Sequence, residues 1–296
     1  MIRTDTLREL IKEIDDEFSS AGVPIPHRTI NCIALISQKL NVNLPISARQ
    51  EQCYMSEGHK ITFIISEWYK EMYGKRLNVN VDIGFVLLLI RGDLLICRVP
   101  NFVGTCNFLI EEDLSVQMSN HETNILLMIN GMTQTFANSL SDHEKEQIFN
   151  NFIKGLHASV VLSGWTGRGL DMINAALNDL KAIESNMRSH NRHLGNAKWS
   201  YNQFIEKVIK SWLLKTGMQR NEISALSHNL EKAASKYNEI FSEKIDINAV
   251  RQIKGGAGLR YDEVELTQED LISVQDKVFD IINSIGHEPI VSDKIF

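Results

Sequence analysis

Residues 199–217 read Trp199-Ser-Tyr-Asn-Gln-Phe-Ile-Glu206-Lys207-Val-Ile-Lys210-Ser-Trp-Leu-Leu-Lys215-Thr-Gly217, and a polar link then leads to Ser227-His228-Asn229-Leu230. Tyr201, Phe204, Ile205, Val208, Ile209 and Trp212 recur at helical spacing and form one apolar stripe. Glu206 and Lys210 stand one turn apart in the favourable order for an ion pair. Gly217 supplies the stop, because glycine takes the left-handed conformation at a helix end without steric cost. The stretch is therefore a well-terminated amphipathic helix followed by a loop. The chain is organised around it.

Further along, Leu259-Arg260-Tyr261-Asp-Glu-Val precedes Thr267-Gln-Glu-Asp270, which opens a last amphipathic helix. A Glu-Lys-x-x-Lys helix, Leu-Leu-x-x-Gly, Ser-His-Asn-Leu and an arginine-tyrosine turn, in that order, resemble the HEPN family of small helical bundles. The resemblance covers roughly the last 120 residues. It implies a bundle over 170–290, and relatives of this kind commonly pair helix to helix. A homodimer through the bundle is therefore expected, with Trp199 and Trp212 on different sides of one helix adding apolar area.

Upstream, Gly164-Trp-Thr-Gly-Arg-Gly169 reads as a domain boundary, and helical periodicity resumes at Leu170, Ile173, Leu177 and Ile183. Residues 1–165 then form an N-terminal α/β unit. Its helices are expected from a capping box at Thr6–Glu9, from His27 to Leu40 and from Glu57 to Tyr73, the last with Ile61, Ile64, Ile65, Trp68 and Met72 inward. Asn78 to Arg91 alternates and then turns continuously apolar, as a buried strand does; Gly92-Asp93 marks a turn and Leu94 to Val99 a second strand. Cys106 to Ile110 reads as a third short strand, and Asn120 to Asn138 and Ser141 to Ser163 as two more helices, the second behind the capping box Ser141–Glu144. The fold class is mainly α with a small β-sheet.

Composition narrows the function classes. With 296 residues, 43% hydrophobic and 23% charged, the chain has the makings of an ordinary globular protein of two modest domains. The apolar run Phe85–Ile90 is too short for a bilayer, and no membrane association is expected. Cys32, Cys53, Cys97 and Cys106 lack Cys-x-x-Cys spacing, so neither zinc nor a redox pair is indicated, and a cytoplasmic location with reduced thiols follows. His121, His143 and His157 stand apart, so no metal is expected either. The net charge of -6 conceals an uneven second half, where bases outnumber acids roughly two to one between Lys181 and Arg260.

Two sets of residues carry candidate chemistry. Lys207, Lys210, His228, Arg260 and Tyr261 match polar positions of the family. They line a ligand pocket for an anion such as a nucleotide in one reading, and tie down the fold in the other, with the arginine on Glu206 and the histidine holding its loop. Arg188-Ser-His-Asn-Arg-His193 matches the Arg-x(4–6)-His pattern of metal-independent HEPN ribonucleases, in which arginine holds phosphate and histidine moves the proton. Here the motif precedes the Glu-Lys-x-x-Lys helix, whereas in the family it comes late in the bundle. Lys254-Gly-Gly-Ala-Gly258 lacks the Lys-Ser/Thr of a phosphate loop, and no cofactor is expected. The leading expectation is a non-catalytic nucleotide-, RNA- or partner-binding module in antiviral defence or stress response. The alternatives are a dimeric endoribonuclease using Arg188 and His193, and a structural scaffold that presents the N-terminal unit to a protein partner.

Overall fold

The computed structural model describes residues 3–77, 82–102, 104–119, 121–256, 258–259 and 265–285. Eleven α-helices and two small two-stranded sheets lie among them. The chain divides into two compact units, Met1–Val81 and Asp82–Phe296.

The first unit holds three helices, α1 (Thr4–Ser20), α2 (Ile25–Leu40) and α3 (Glu57–Tyr73). Their apolar stripes close one small core of Leu7, Ile11, Ile14, Ile33, Ile36, Ile61, Ile65, Trp68 and Tyr69. The expected box at Thr6 does not cap α1, which starts earlier, behind Arg3, with no side-chain cap. Helix α2 begins two residues before His27, because Pro26 falls in the first turn, where its missing N–H is no loss. Met72 points outward and is 57% exposed; it falls outside the stripe that Trp68 and Tyr69 complete. At one end Arg28 lies 3.4 Å from Asp15 and donates to the Tyr73 hydroxyl at 3.2 Å, while that hydroxyl donates to Asp15. The buried charges are thus paired and hydrogen-bonded, as burial requires.

The second unit opens with a hairpin of β1 (Gly84–Ile90) and β2 (Asp93–Val99), so the α/β boundary expected near residue 165 moves back to residue 82. Arg91 and Gly92 have φ of 52° and 84° and make the two-residue turn whose twist matches paired strands. Two short strands, β3 (Asn107–Leu109) and β4 (Glu122–Asn124), pair in parallel. The helix expected over 120–138 is not formed. Strand β4 leads into a 3-10 turn at Ile125–Met128, Ile129 bridges Cys97, and only α4 (Gln134–Ser139) is helical. Asn124 explains the change: its amide donates to Glu111 O at 2.7 Å and accepts from Glu111 N and Leu126 N, both at 3.1 Å, fixing a turn where a helix would continue. The expected strand start at residues 78–81 lies outside the described residues.

Helix α5 (Asp142–Thr166) carries the expected Ser141–Glu144 box and crosses β1, so closely at Gly155 that an added Cβ would stand 2.3 Å from Val86. Then follow α6 (Ile173–Arg188), α7 (Leu194–Lys215), α8 (Arg220–Ala225), α9 (Leu230–Ile240), α10 (Ile247–Ile253) and α11 (Gln268–Ile285). The segment Gly164–Gly169 joins α5 to α6 and separates nothing: hairpin, α5 and bundle share one continuous core from Phe85 to Ile285. Helix α7 packs against α6, α8, α9, α10 and α11 and is the axis of the bundle.

Candidate functional site

The stripe Tyr201, Phe204, Ile205, Val208, Ile209 and Trp212 is buried as its spacing demands, but burial continues around the helix to Asn202, Glu206, Lys210 and Ser211. A helix surrounded on every side must bury its polar face too, and that face then needs partners. Lys210 Nζ donates to Glu206 Oε1 at 2.7 Å and to the Ser227 carbonyl at 2.6 Å. His228 Nδ1 stands 3.1 Å from the same Glu206 oxygen, while its side chain is 80% exposed. Ser227 adopts φ of 47°, and Asn229 caps α9 by accepting from Lys232 N–H at 3.0 Å. The Ser-His-Asn-Leu segment is therefore a tight loop held to the axis by one buried carboxylate. Both readings of these residues keep their geometry: the histidine ties the loop, and the lysine borders a groove.

Lys207 does not join them. Its Nζ lies 2.5 Å from Asp179 Oδ2 on α6. Burial pushes the Asp179 carboxyl above the ordinary range, and Lys207 pulls against that rise. Arg260 and Tyr261 lie outside the described residues, so their assignment to this pocket is not placed. The glycine-rich loop before them rests on the start of α7: an added Cβ at Gly195 would meet Leu259 O at 2.1 Å, and Asn202 accepts from Gly255 N–H at 3.4 Å.

The Arg188–His193 pair occupies the α6–α7 link. Arg188 is the last residue of α6 and its guanidinium donates to Glu184 Oε1 at 2.7 Å. The Asn130 side-chain oxygen, with its amide oriented to match its donors, accepts from Arg188 at 2.7 Å. His193 stands just before α7, and Asn186 clips it by accepting from its N–H and donating to its carbonyl. Trp212 is buried against Trp165 and Phe241, so it adds nothing to a dimer surface.

Sequence reasoning misses a groove at the C-terminal end of α7. It has two adjoining compartments of about 360 and 320 Å³, both lined by Asp171, Leu214 and Arg220. Lys210 and Ser224 border one compartment, Ser211 and Lys215 the other. No motif spacing signals it, because its walls come from the α5–α6 link, α7 and α8. A larger cavity, about 770 Å³, lies elsewhere, between α5 and β3, with mainly apolar walls. Among the described residues no three His, Cys, Asp or Glu side chains gather as metal ligands, and no helix is long and apolar enough to cross a membrane. No family model, no curated protein and no solved structure matches the chain.

Proposed function

We propose that the second unit is a HEPN-like bundle that works as a non-catalytic binding module in defence or stress response. It recognises a nucleotide, RNA or protein partner at the surface around Lys210 and His228. One observation carries this reading: residues from two separated parts of the motif, Lys210 and His228, meet on Glu206, leaving His228 at the surface and Lys210 at a groove. The state of Arg188 supports binding over cleavage, since Glu184 and Asn130 already accept from its guanidinium. A phosphate would have to displace them. The bundle also pairs with a second copy of itself, through surfaces other than Trp212.

Thermal unfolding in the presence of nucleotides and of short single-stranded RNA tests the reading. A ligand that binds the folded state raises stability by about 2.7 kcal/mol at a hundred times its Kd. The rise is expected to shrink with His228→Ala and to survive Arg188→Ala. RNA cleavage in the presence of chelator, lost with Arg188→Ala or His193→Ala, would replace the module by the ribonuclease. Light scattering that gives a monomer at micromolar concentration would remove the dimer.

A further inference from the structure

We infer that the cavity between α5 and β3 is a binding site for a neutral apolar small molecule that ends in a single hydroxyl, such as a medium-chain alcohol. Its walls share no residue with the surface around Lys210 and His228, so it is a second site, separate from the module proposed there. Helix α5 is apolar on two sides. Gly155 and Ser159 lie on the side that meets β1, close against Val86 and Gly84. Beside them Ile153, Leu156, His157, Val160 and Val161 follow helical spacing and form a second stripe. That stripe lines the cavity, and Val160 on it is 46% exposed.

The opposite wall is aromatic. Phe108 stands on β3 and leans on the core residue Phe152, with ring centroids 5.0 Å apart. Phe102 meets Phe108 edge-on at 5.6 Å and is exposed at the rim. Rings anchored to the core in this way hold the wall in place. The volume of about 770 Å³ between wall and helix falls within the range of small-molecule sites.

Charge and size select the occupant. Among the described residues of the lining there is no Asp, Glu, Lys or Arg. A charged ligand would give up its hydration there with no counter-charge to replace it, so the occupant is neutral. His157 is exposed and makes no hydrogen bond or ion pair among the described residues. A neutral imidazole carries one donor and one acceptor, and a hydroxyl answers either. The lining is too small for a protein surface: ten residues form it, against about 20–30 a side in a standard interface. Its α5 part, from Ile153 to Val161, is about 12 Å long.

The test is fluorescence titration of the full chain with N-phenyl-1-naphthylamine, a neutral apolar dye, followed by its displacement with octanol, decanol and decanoate. The dye is expected to bind and brighten. Decanol should displace it about tenfold more tightly than octanol, the worth of two buried methylenes. Decanoate should compete about tenfold or more weakly than decanol, because only its charge differs in kind. Val160 and His157 are exposed, so substitutions there keep the fold. Val160→Trp fills the cavity and is expected to abolish dye binding; His157→Leu is expected to weaken decanol several-fold. Alkylation by iodoacetamide, mapped by mass spectrometry, locates the site. With decanol at about ten times its Kd, Cys106 in the lining should react about tenfold more slowly, while Cys53 in the first unit reacts at an unchanged rate. No dye binding, dye binding that survives Val160→Trp, a Cys106 rate indifferent to decanol, or decanoate competing as well as decanol overturns the inference. If the dye never binds and Val160→Trp turns a dimer into a monomer in light scattering, the face belongs to a second copy of the chain instead.

Discussion

Replacing Gln275 by methionine tests what fastens the hairpin to the bundle. Gln275 lies on α11, is 3% exposed, and treats β1 as a neighbouring strand would. Its Oε1 accepts from Leu87 N–H at 2.8 Å and its Nε2 donates to Leu87 O at 2.9 Å, while the Tyr201 hydroxyl donates to the same Oε1 at 3.2 Å. Leu87 has both groups on the outer edge of the hairpin, where β2 does not reach them; on the other edge Ile96 O accepts from Asn130 N–H at 2.8 Å. Methionine keeps the volume and removes the amide. It leaves a buried N–H and C=O unsatisfied at about 1–3 kcal/mol each, so the loss should be about 2–5 kcal/mol after some relaxation. Tyr201→Phe removes one bond only and should cost about 0.5–1.5 kcal/mol. Urea unfolding followed by tryptophan fluorescence measures both, with Trp165, Trp199 and Trp212 reporting the second unit and Trp68 the first, so that the two transitions are fitted separately. A Gln275→Met variant within about 0.5 kcal/mol of the parent would refute the reasoning, since a surface substitution does no more.

Glu206→Ala strands the buried Lys210 ammonium and should destabilise the second unit by about 3–5 kcal/mol, whereas Glu206→Leu with Lys210→Met should come out near neutral in the same urea titration. Gly155→Ala would gain helix propensity on an open surface, but against Val86 it should cost about 1–3 kcal/mol, and Val86→Ala in the same chain should recover part of that loss in thermal unfolding. Arg91 and Ser141 hold the Glu144 carboxyl down at about 2, below its ordinary 4.5. A depressed carboxylate stabilises above its unfolded value and loses that contribution as pH falls, so the stability gap between parent and Glu144→Gln should persist above 4.5 and close between there and about 2 in a pH series. Burial pushes the Cys32 and Cys97 thiols up to about 12, so a thiol reagent near neutral pH should reach the partly exposed Cys53 and Cys106 first and the other two only on unfolding.

Local chemistry was legible wherever a signal is confined to a few neighbouring residues. The Ser141–Glu144 box, the helix Glu57–Tyr73 and the apolar stripe of α7 stand where their spacing puts them, and the turn expected at Gly92-Asp93 forms one residue earlier, at Arg91-Gly92, because caps, turns and periodicity depend on contacts within one or two turns of chain. Sequence reasoning failed where a distant partner decides. Ile125–Met128 reads as helix until Asn124 bonds to Glu111 and Ile129 bridges Cys97. The glycines at 164–169 read as a boundary until α5 is seen to share the core of the bundle.

By itself, then, the sequence determined that the chain is mostly helical with a little sheet, and which residues form its axial helix. It also marked Lys207, Lys210, His228, Arg260 and Tyr261 as the polar positions of interest, because their types and order are written in the chain. The tertiary structure alone decided that the first unit ends before Asp82, that Lys207 turns to Asp179 while Lys210 and His228 meet on one carboxylate, and that Ser211, Lys215 and Arg220 border a common groove. The physical reason is that burial and pairing belong to the packed state. A helix enclosed on all sides has no solvent face to receive its polar residues, and their partners come from segments that no spacing rule connects.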